Sequence, residues 1–190
     1  MTLEDGKTYR VDTRTTDRAG NSKDETAGSF LYDTTKPTAS INQPLPGSFK
    51  SANFTISGTA ADPGTGSGVS TVTLSIKSEG NGLCYVPGGA FAAACPAFFG
   101  AGGVLPNWTY TPPSSPYSDG VRYVVVAKAA DSATNEQTAF GVGTSSNSFI
   151  YDTRKPNSMV QGPSQGQLIA SLPTISGTAS GAALLTPLSG

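Results

Sequence analysis

The chain repeats itself once at the length of a whole domain. Residues 3–37 and 117–156 share their turn, aromatic and proline positions in the same order. The matched residues are Asp5-Gly6 with Asp119-Gly120, Tyr9 with Tyr123, Asp17 with Asp131, Asn21 with Asn135, Phe30 with Phe149, Asp33 with Asp152 and Pro37 with Pro156. The string TISGTA also occurs twice, at 55–60 and at 174–179. A period of roughly 119 residues is the size of a domain, far above the 20–50 residues of solenoid repeats.

The repeat predicts three segments. Residues 1–36 are expected to be the C-terminal part of one repeat, 37–153 a complete domain, and 154–190 the N-terminal part of a following repeat. We therefore expect the chain to be a stretch of a longer tandem array. Each terminal segment holds only about two strands, and a lone hairpin is marginal in water. These ends are expected to fray or to lean on the central domain.

The local pattern within the central segment is that of short strands. Charged residues make up only 13 % of the chain, whereas Gly (23) and Pro (14) are plentiful. Apolar and polar residues alternate between turn-rich stretches, which indicates strands. The predicted strands include 53–60, 69–76, 107–111, 121–129 and 147–151. About seven such strands predict an all-β, immunoglobulin-like antiparallel β-sandwich, with Trp108 as the anchor of its core.

The two cysteines lie in a segment without clear periodicity, residues 78–106. Cys84 and Cys95 have no histidine anywhere in the chain to join them, so the usual four-ligand zinc site is excluded. A local disulfide is favoured, and it indicates an oxidising compartment. The alternative is two free buried thiols.

Three strings together resemble bacterial Ig-like repeats. They are SGTAxDxxxxSGVxxVxLSI from Ser57, DGxxYxVxxxAxD from Asp119, and FxYDTxxP from Phe149. The DRAGN string at 17–21 resembles the loop between the last two strands of those repeats, and DSATN stands at 131–135. The resemblance covers nearly the whole chain. It implies a secreted or cell-surface bacterial protein, often adhesin-like, with neighbouring Ig-like repeats as partners in the same chain.

Several function classes are excluded or disfavoured by the sequence. The net charge is −1 and the basic residues are scattered, so the sequence shows no basic cluster of the kind that binds nucleic acid. No stretch approaches the ~20 apolar residues of a membrane span, and the N-terminus has no signal-peptide pattern. The absence of histidine removes the commonest general base, and no pair of carboxylates is arranged for acid–base catalysis. The chain is therefore expected not to be an enzyme.

One group of polar residues could bind a cation. In a sandwich of this type, two loops and the incoming linker meet at the pole where the domain begins. That pole would gather Asp33, Asp62, Asp131 and Asn135, and such oxygen ligands suit Ca²⁺. The competing interpretation is that these side chains only cap turns through their own backbone.

Two functions remain in competition. The favoured one is a structural or adhesive repeat that acts as a rigid spacer on a bacterial surface protein. The alternative is a carbohydrate- or protein-binding accessory module of a secreted enzyme. Its candidate surface is an aromatic group, Tyr85, Phe91, Phe98 and Phe99, recognising a host or surface glycan or a protein. The favoured interpretation of these rings is that they complete the edge of the sandwich beneath a long loop.

Overall fold

The computed structural model describes residues 2–171 and 174–181. Strands are the only regular elements along these residues. In chain order they are β1 (Lys7–Thr16), β2 (Ser22–Tyr32), β3 (Thr38–Gln43), β4 (Ser48–Lys50), β5 (Ile56–Ala61), β6 (Val69–Ser78), β7 (Cys84–Val86), β8 (Ala90–Ala93), β9 (Phe99–Gly100), β10 (Asn107–Tyr110), β11 (Val121–Asp131), β12 (Ser146–Tyr151), β13 (Asn157–Gly162) and β14 (Ser176–Ser180). Residues 154–190 are expected to begin a further repeat. Of these, residues 172–173 and 182–190 lie outside the described residues.

Two central sheets form the body of the molecule, and a hairpin stands at each end of the chain. One central sheet has the strand order β10-β5-β3, and the other β4-β12-β11-β6-β7-β8, with β9 also on β6. All pairings are antiparallel except that of β4, which runs parallel to β12. The hairpins are β1–β2 and β13–β14. The central sheets pack against each other, which confirms the predicted all-β class and the layered, sandwich-like packing.

The core follows from strict alternation along β11. Tyr123, Val125, Ala127 and Ala129 point inward and are almost completely buried, because successive side chains of a strand face opposite sides. The residues between them are only partly exposed, since β11 lies in the middle of its sheet. Aromatic rings fill one end of the core, where Tyr117 packs edge-on against Phe149 with ring centroids 5.1 Å apart.

Trp108 fills the space opposite a glycine. It lies on β10, is buried, and donates from Nε1 to the carbonyl of Thr59 at 3.0 Å. Its ring sits over Gly58 on the neighbouring strand β5, where a Cβ would come within 2.2 Å of the indole. Only glycine leaves room for the indole at this position. The SGTA string therefore has a packing role in the sandwich.

The segment expected to be irregular contains short strands. Residues 78–106 hold β7, β8 and β9, which extend the larger sheet beyond β6. They are two to four residues long, and Gly and Pro separate them, so no alternation is long enough to be recognised. The predicted strand at 53–60 also begins later, at Ile56. Asn53 donates instead to the carbonyl of Pro112 at 2.8 Å.

Candidate functional site

The linker between β2 and β3 is fastened to two loops of the central sandwich. Asp33 begins this linker, and its residue is 7 % exposed. Its Oδ2 accepts a hydrogen bond from the backbone amide of Ser67 at 2.6 Å, and its Oδ1 one from Thr35 at 3.0 Å. Its backbone carbonyl accepts from Nδ2 of Asn135 at 3.0 Å. One residue thus joins the 62–68 loop and the β11–β12 turn to the incoming chain.

The two loops are also bonded to each other. The hydroxyl of Ser67 accepts from the amide of Ala133 at 2.9 Å, and the amide of Ser132 donates to the carbonyl of Gly68 at 3.0 Å. The hydroxyl of Thr65 donates to the carbonyl of Gly6 at the base of the β1–β2 hairpin, at 3.0 Å. We call this set the junction: the linker 33–37, the loop 62–68 and the turn 131–135.

The turn 131–135 is held by the pairing of Asp131 with Asn135. The carboxylate accepts from the backbone amide of Asn135 at 2.8 Å and from its Nδ2 at 2.9 Å. In the first copy, Asp17 accepts from the amide and Nδ2 of Asn21 at 2.9 and 2.8 Å. Thr134 stands where the first copy has Gly20. The structure places Thr134 at a φ of 73°, in the left-handed region that Gly20 also adopts.

Three carboxylates converge at the junction. One oxygen from each of Asp33, Asp62 and Asp131 lies within 4.8 Å of the others. Asp33 and Asp131 are buried and Asp62 is half-buried. The fourth predicted residue, Asn135, lies beside them, but the contacts it makes to Asp33 and Asp131 come from its amide nitrogens. The structure therefore brings the four predicted residues together. Asn135 donates hydrogen bonds to Asp33 and Asp131.

Asp62 contributes an oxygen without a hydrogen-bond partner. Its Oδ2 accepts from the amide of Gly68 at 2.7 Å, whereas Oδ1 is buried and has no partner among the described residues. A Cβ at residue 66 would lie 2.3 Å from Oδ2, so Gly66 lets the loop close around the carboxylate. Backbone donors partly offset the negative charge of the cluster. Hydrogen bonds from Ser67 are the main reason that the pKa of Asp33 is lowered.

The donor set fits a calcium ion on chemical grounds. Ca²⁺ takes 6–8 oxygen ligands at about 2.3–2.6 Å, so two ligands of one ion stand no more than about 5 Å apart. The three carboxylates meet that spacing. The buried Asp62 Oδ1 accepts no hydrogen bond from the described residues, so its lone pairs could coordinate an ion. Neighbouring carboxylates repel one another, and a cation between them would remove that cost.

A further contact, which we call the clasp, lies at the base of β1–β2 and again at the base of β11–β12, and it was not foreseen from the sequence. Asp5 accepts from the backbone amide and the hydroxyl of Thr34, at 2.5 and 2.8 Å, and from the hydroxyl of Thr35. In the second copy Asp119 accepts from the amide and hydroxyl of Thr153 at 2.6 and 3.0 Å. The repeated Asp-Gly pair was the available signal, but it indicated only a turn.

The clasp at Asp5 predicts a local acid sensitivity. Hydrogen bonds from Thr35 and then Thr34 lower the pKa of Asp5 from the ordinary 3.8 to about 2. A carboxyl with a lowered folded pKa adds stability above its ordinary pKa and loses that contribution as the pH falls through the folded value. An NMR titration is expected to give an Asp5 midpoint near 2, with the Thr34 amide losing protection, relative to its intrinsic exchange rate, between pH 4 and pH 2. A midpoint near 4 contradicts this, and Asp5→Asn should abolish the pH dependence of that protection.

The candidate aromatic surface lies largely inside the protein. Tyr85 is fully buried, and its ring contacts those of Phe91, Phe99 and Tyr110 at centroid distances of 5.7, 5.5 and 6.1 Å. Phe98 is half-buried beneath the ammonium of Lys128, 4.9 Å from its ring centroid. These rings mainly complete the core beneath β7–β9. They do not form an open aromatic platform of the kind that stacks on sugars.

The predicted disulfide is confirmed. Cys84 and Cys95 are bonded, with Cα atoms 5.2 Å apart. Cys84 is buried on β7, and Cys95 lies just after β8, so the bond ties the short strands to the larger sheet through the pairing of Cys84 with Lys77. A disulfide is consistent with an oxidising environment.

Comparison with known proteins adds no assignment. No family model matches the chain, and a search of curated proteins finds no match. Among the described residues, no helix has the length and apolarity needed to cross a membrane. What the structure itself defines is a disulfide-bonded all-β protein with packed antiparallel sheets.

Proposed function

We propose that this chain is a non-catalytic spacer made of tandem Ig-like repeats in a bacterial surface protein, and that the junction fixes the angle between neighbouring repeats. The observation that carries the proposal is Asp33, whose side chain binds the amide of Ser67 and whose carbonyl binds Asn135. A spacer must transmit orientation, and several short hydrogen bonds to one linker residue restrict its torsions. The disulfide and the internal repeat support an extracellular array.

The recurrence of the same contacts supports a repeated junction. The linkers at 33–37 and 152–156 each begin with an aspartate whose Oδ1 accepts from the amide two residues later, at 3.0 Å in both. Each linker is also held by the aspartate of the preceding Asp-Gly pair, Asp5 or Asp119. One set of contacts is thus used at two successive linkers, as an array of equivalent repeats requires.

The proposal predicts that removing one amide side chain loosens the array. Asn135→Ala removes the bonds to Asp131 and to the linker. Asn21→Ala removes the equivalent bonds of an exposed turn for which the described residues show no hydrogen bond to a linker. We expect ¹⁵N relaxation to show the β1–β2 amides tumbling with the central sandwich in the wild type and in Asn21→Ala. In Asn135→Ala they should tumble faster. Equal tumbling of the β1–β2 amides in all three proteins would contradict the role of Asn135 in holding the junction.

We further propose that Ca²⁺ reinforces the junction. Asp33, Asp62 and Asp131 would hold the ion, which would supply a positive charge that cross-links linker, loop and turn. The supporting observation is the buried Asp62 Oδ1, which has no partner among the described residues and lies in a cluster of like charges.

The calcium proposal predicts a metal-dependent melting temperature. At a free concentration near 100 times Kd, a bound ion stabilises the folded state by about 2.7 kcal/mol, so calcium should raise Tm by several degrees over EDTA. Asp62→Asn should abolish the response, because it removes one charge from the cluster. Asp17→Asn, in the matched turn of the first copy, should leave the response intact. Identical melting curves with calcium and with EDTA would end the proposal.

A further inference from the structure

Each terminal hairpin presents apolar side chains that nothing in the described part of the chain covers. On β1–β2, Val11 and Phe30 are 43 % and 44 % exposed. Val160 on β13 is 69 % exposed, and Ile175, immediately before β14, is 67 % exposed. A two-stranded sheet with an uncovered apolar face is marginal in water. Both faces therefore gain stability from a partner.

The β1–β2 hairpin reproduces the β11–β12 pair of the central sandwich. Tyr9 stacks on Phe30 with ring centroids 5.7 Å apart and an interplanar angle of 27°. The matched residues Tyr123 and Phe149 stack at 5.4 Å and 24°. The same two rings thus meet in the same way, inside the core in one copy and at the surface in the other.

The β13–β14 hairpin reproduces the β3–β5 pair. Val160 pairs with Gly177, and the register then shifts before Gly162. In the central sandwich Ile41 pairs with Gly58, and the register shifts before Gln43. The apolar residue, the glycine that it pairs with and the shift in register thus occupy equivalent positions in β13–β14 and in β3–β5.

In the central sandwich these two pairs of strands are opposite faces of one core. Ile41 and Ile56 of the β3–β5 side belong to the same buried cluster as Tyr123 and Phe149 of β11–β12. The chain therefore carries, on two separate hairpins, both sides of an interface that it already makes internally. The linkers of these hairpins lie at opposite ends of β11, an 11-residue strand about 35 Å long. In one copy, the exposed face of β1–β2 and that of β13–β14 therefore lie at opposite poles of the central sandwich.

We propose that copies of this chain associate head to tail, with β13–β14 of one copy packing on β1–β2 of the next. Val160 and Ile175 would cover Tyr9, Val11 and Phe30, as Ile41 and Ile56 share the core with Tyr123 and Phe149. Asn21 would take the place of Asn135 and donate to the carbonyl of Asp152 in the other copy. The two surfaces differ, so the contact is heterologous and does not close at a dimer. This inference rests on the repeat that also underlies the proposed function, but its test concerns the hairpin faces and not the junction, so the two can fail separately.

The contact area indicates weak association. A face two strands wide and about six residues long buries a few hundred Å² on each partner, below the roughly 800 Å² of a standard stable interface. We therefore expect reversible self-association that becomes visible only at high protein concentration.

Sedimentation equilibrium on the 190-residue chain in EDTA tests the proposal. The average mass should rise with concentration without levelling at a dimer. Val160→Asp and Phe30→Asp should each be monomeric alone, whereas their mixture should reach a dimer and stop, because each retains the face that the other lacks. Val142→Asp, at an exposed site of the central sandwich, should behave as wild type. A wild type that stays monomeric at millimolar concentration, or a mixture that fails to dimerise, overturns the proposal.

A cross-link tests the register independently of affinity. Chains carrying Asn21→Cys and chains carrying Asp152→Cys should form a mixed disulfide when oxidised together at high concentration. Chains carrying Val142→Cys in place of Asp152→Cys should not. Equal cross-linking of the two partners contradicts the proposed pairing of Asn21 with the 152–156 linker.

Discussion

Trp108→Ala is expected to destabilise the protein by about 3–5 kcal/mol, the range for truncating a buried Trp or Phe. The indole lies in the core cluster between the two central sheets, and its Nε1 bonds the carbonyl of Thr59. The truncation leaves a cavity and an unpaired carbonyl. Urea denaturation followed by circular dichroism measures the loss. A cost below about 1 kcal/mol would show that Trp108 does not join the two sheets.

The glycine beneath the indole provides the matched test. A Cβ at Gly58 would lie 1.9 Å from the carbonyl oxygen of Ser40 and 2.2 Å from Cζ2 of Trp108, so Gly58→Ala forces β3 or the indole to move. We expect a loss of at least about 1–3 kcal/mol, as for overpacked cores. Gly100→Ala is the control, because a Cβ there meets nothing within 4 Å. Equal effects of the two substitutions would contradict the packing described.

Removing the disulfide is expected to cost about 2–3 kcal/mol, because the bond closes a short loop and its loss frees the unfolded chain. The double variant Cys84→Ala, Cys95→Ala is preferred to serine, because Cys84 is buried and a hydroxyl there would need a partner. The expected result is a lower denaturation midpoint and faster amide exchange in β7 and β8. Reductant should lower the midpoint of the wild type and leave the double variant unchanged. A wild type indifferent to reductant would contradict the role assigned to this bond.

The long strands were predictable because their signal is local. Alternation along 121–129 places Tyr123, Val125 and Ala127 on one face, and the structure extends the strand only to Asp131. Burial on one side of a sheet leaves this period in the sequence. β7, β8 and β9 left no such signal, because each has at most four residues. They depend on pairing within the sheet, β7 and β9 with β6 and β8 with β7.

The candidate site was predictable only as a set of residues. Loop positions in a two-sheet fold place Asp33, Asp62 and Asp131 at one pole, and the structure brings their oxygens within 4.8 Å. The partners of each oxygen depend on loop conformation, which no periodicity encodes. Asn135 therefore acts as a donor to the linker, although it was predicted as an oxygen ligand. The clasp at Asp5 was missed for the same reason, since it joins residues 29 positions apart.

The orientation fixed at the junction is the central claim, and a distance distribution tests it most directly. Spin labels at Thr8→Cys, at the base of the first hairpin, and at Ser114→Cys, on the sandwich, span the junction, and both native residues are exposed. A pair at Lys77→Cys and Ser114→Cys lies within the sandwich and serves as the reference. Double electron–electron resonance should give a single peak for Thr8–Ser114, no wider than that of the reference. A broad or multiple distribution in the wild-type background would contradict a fixed junction.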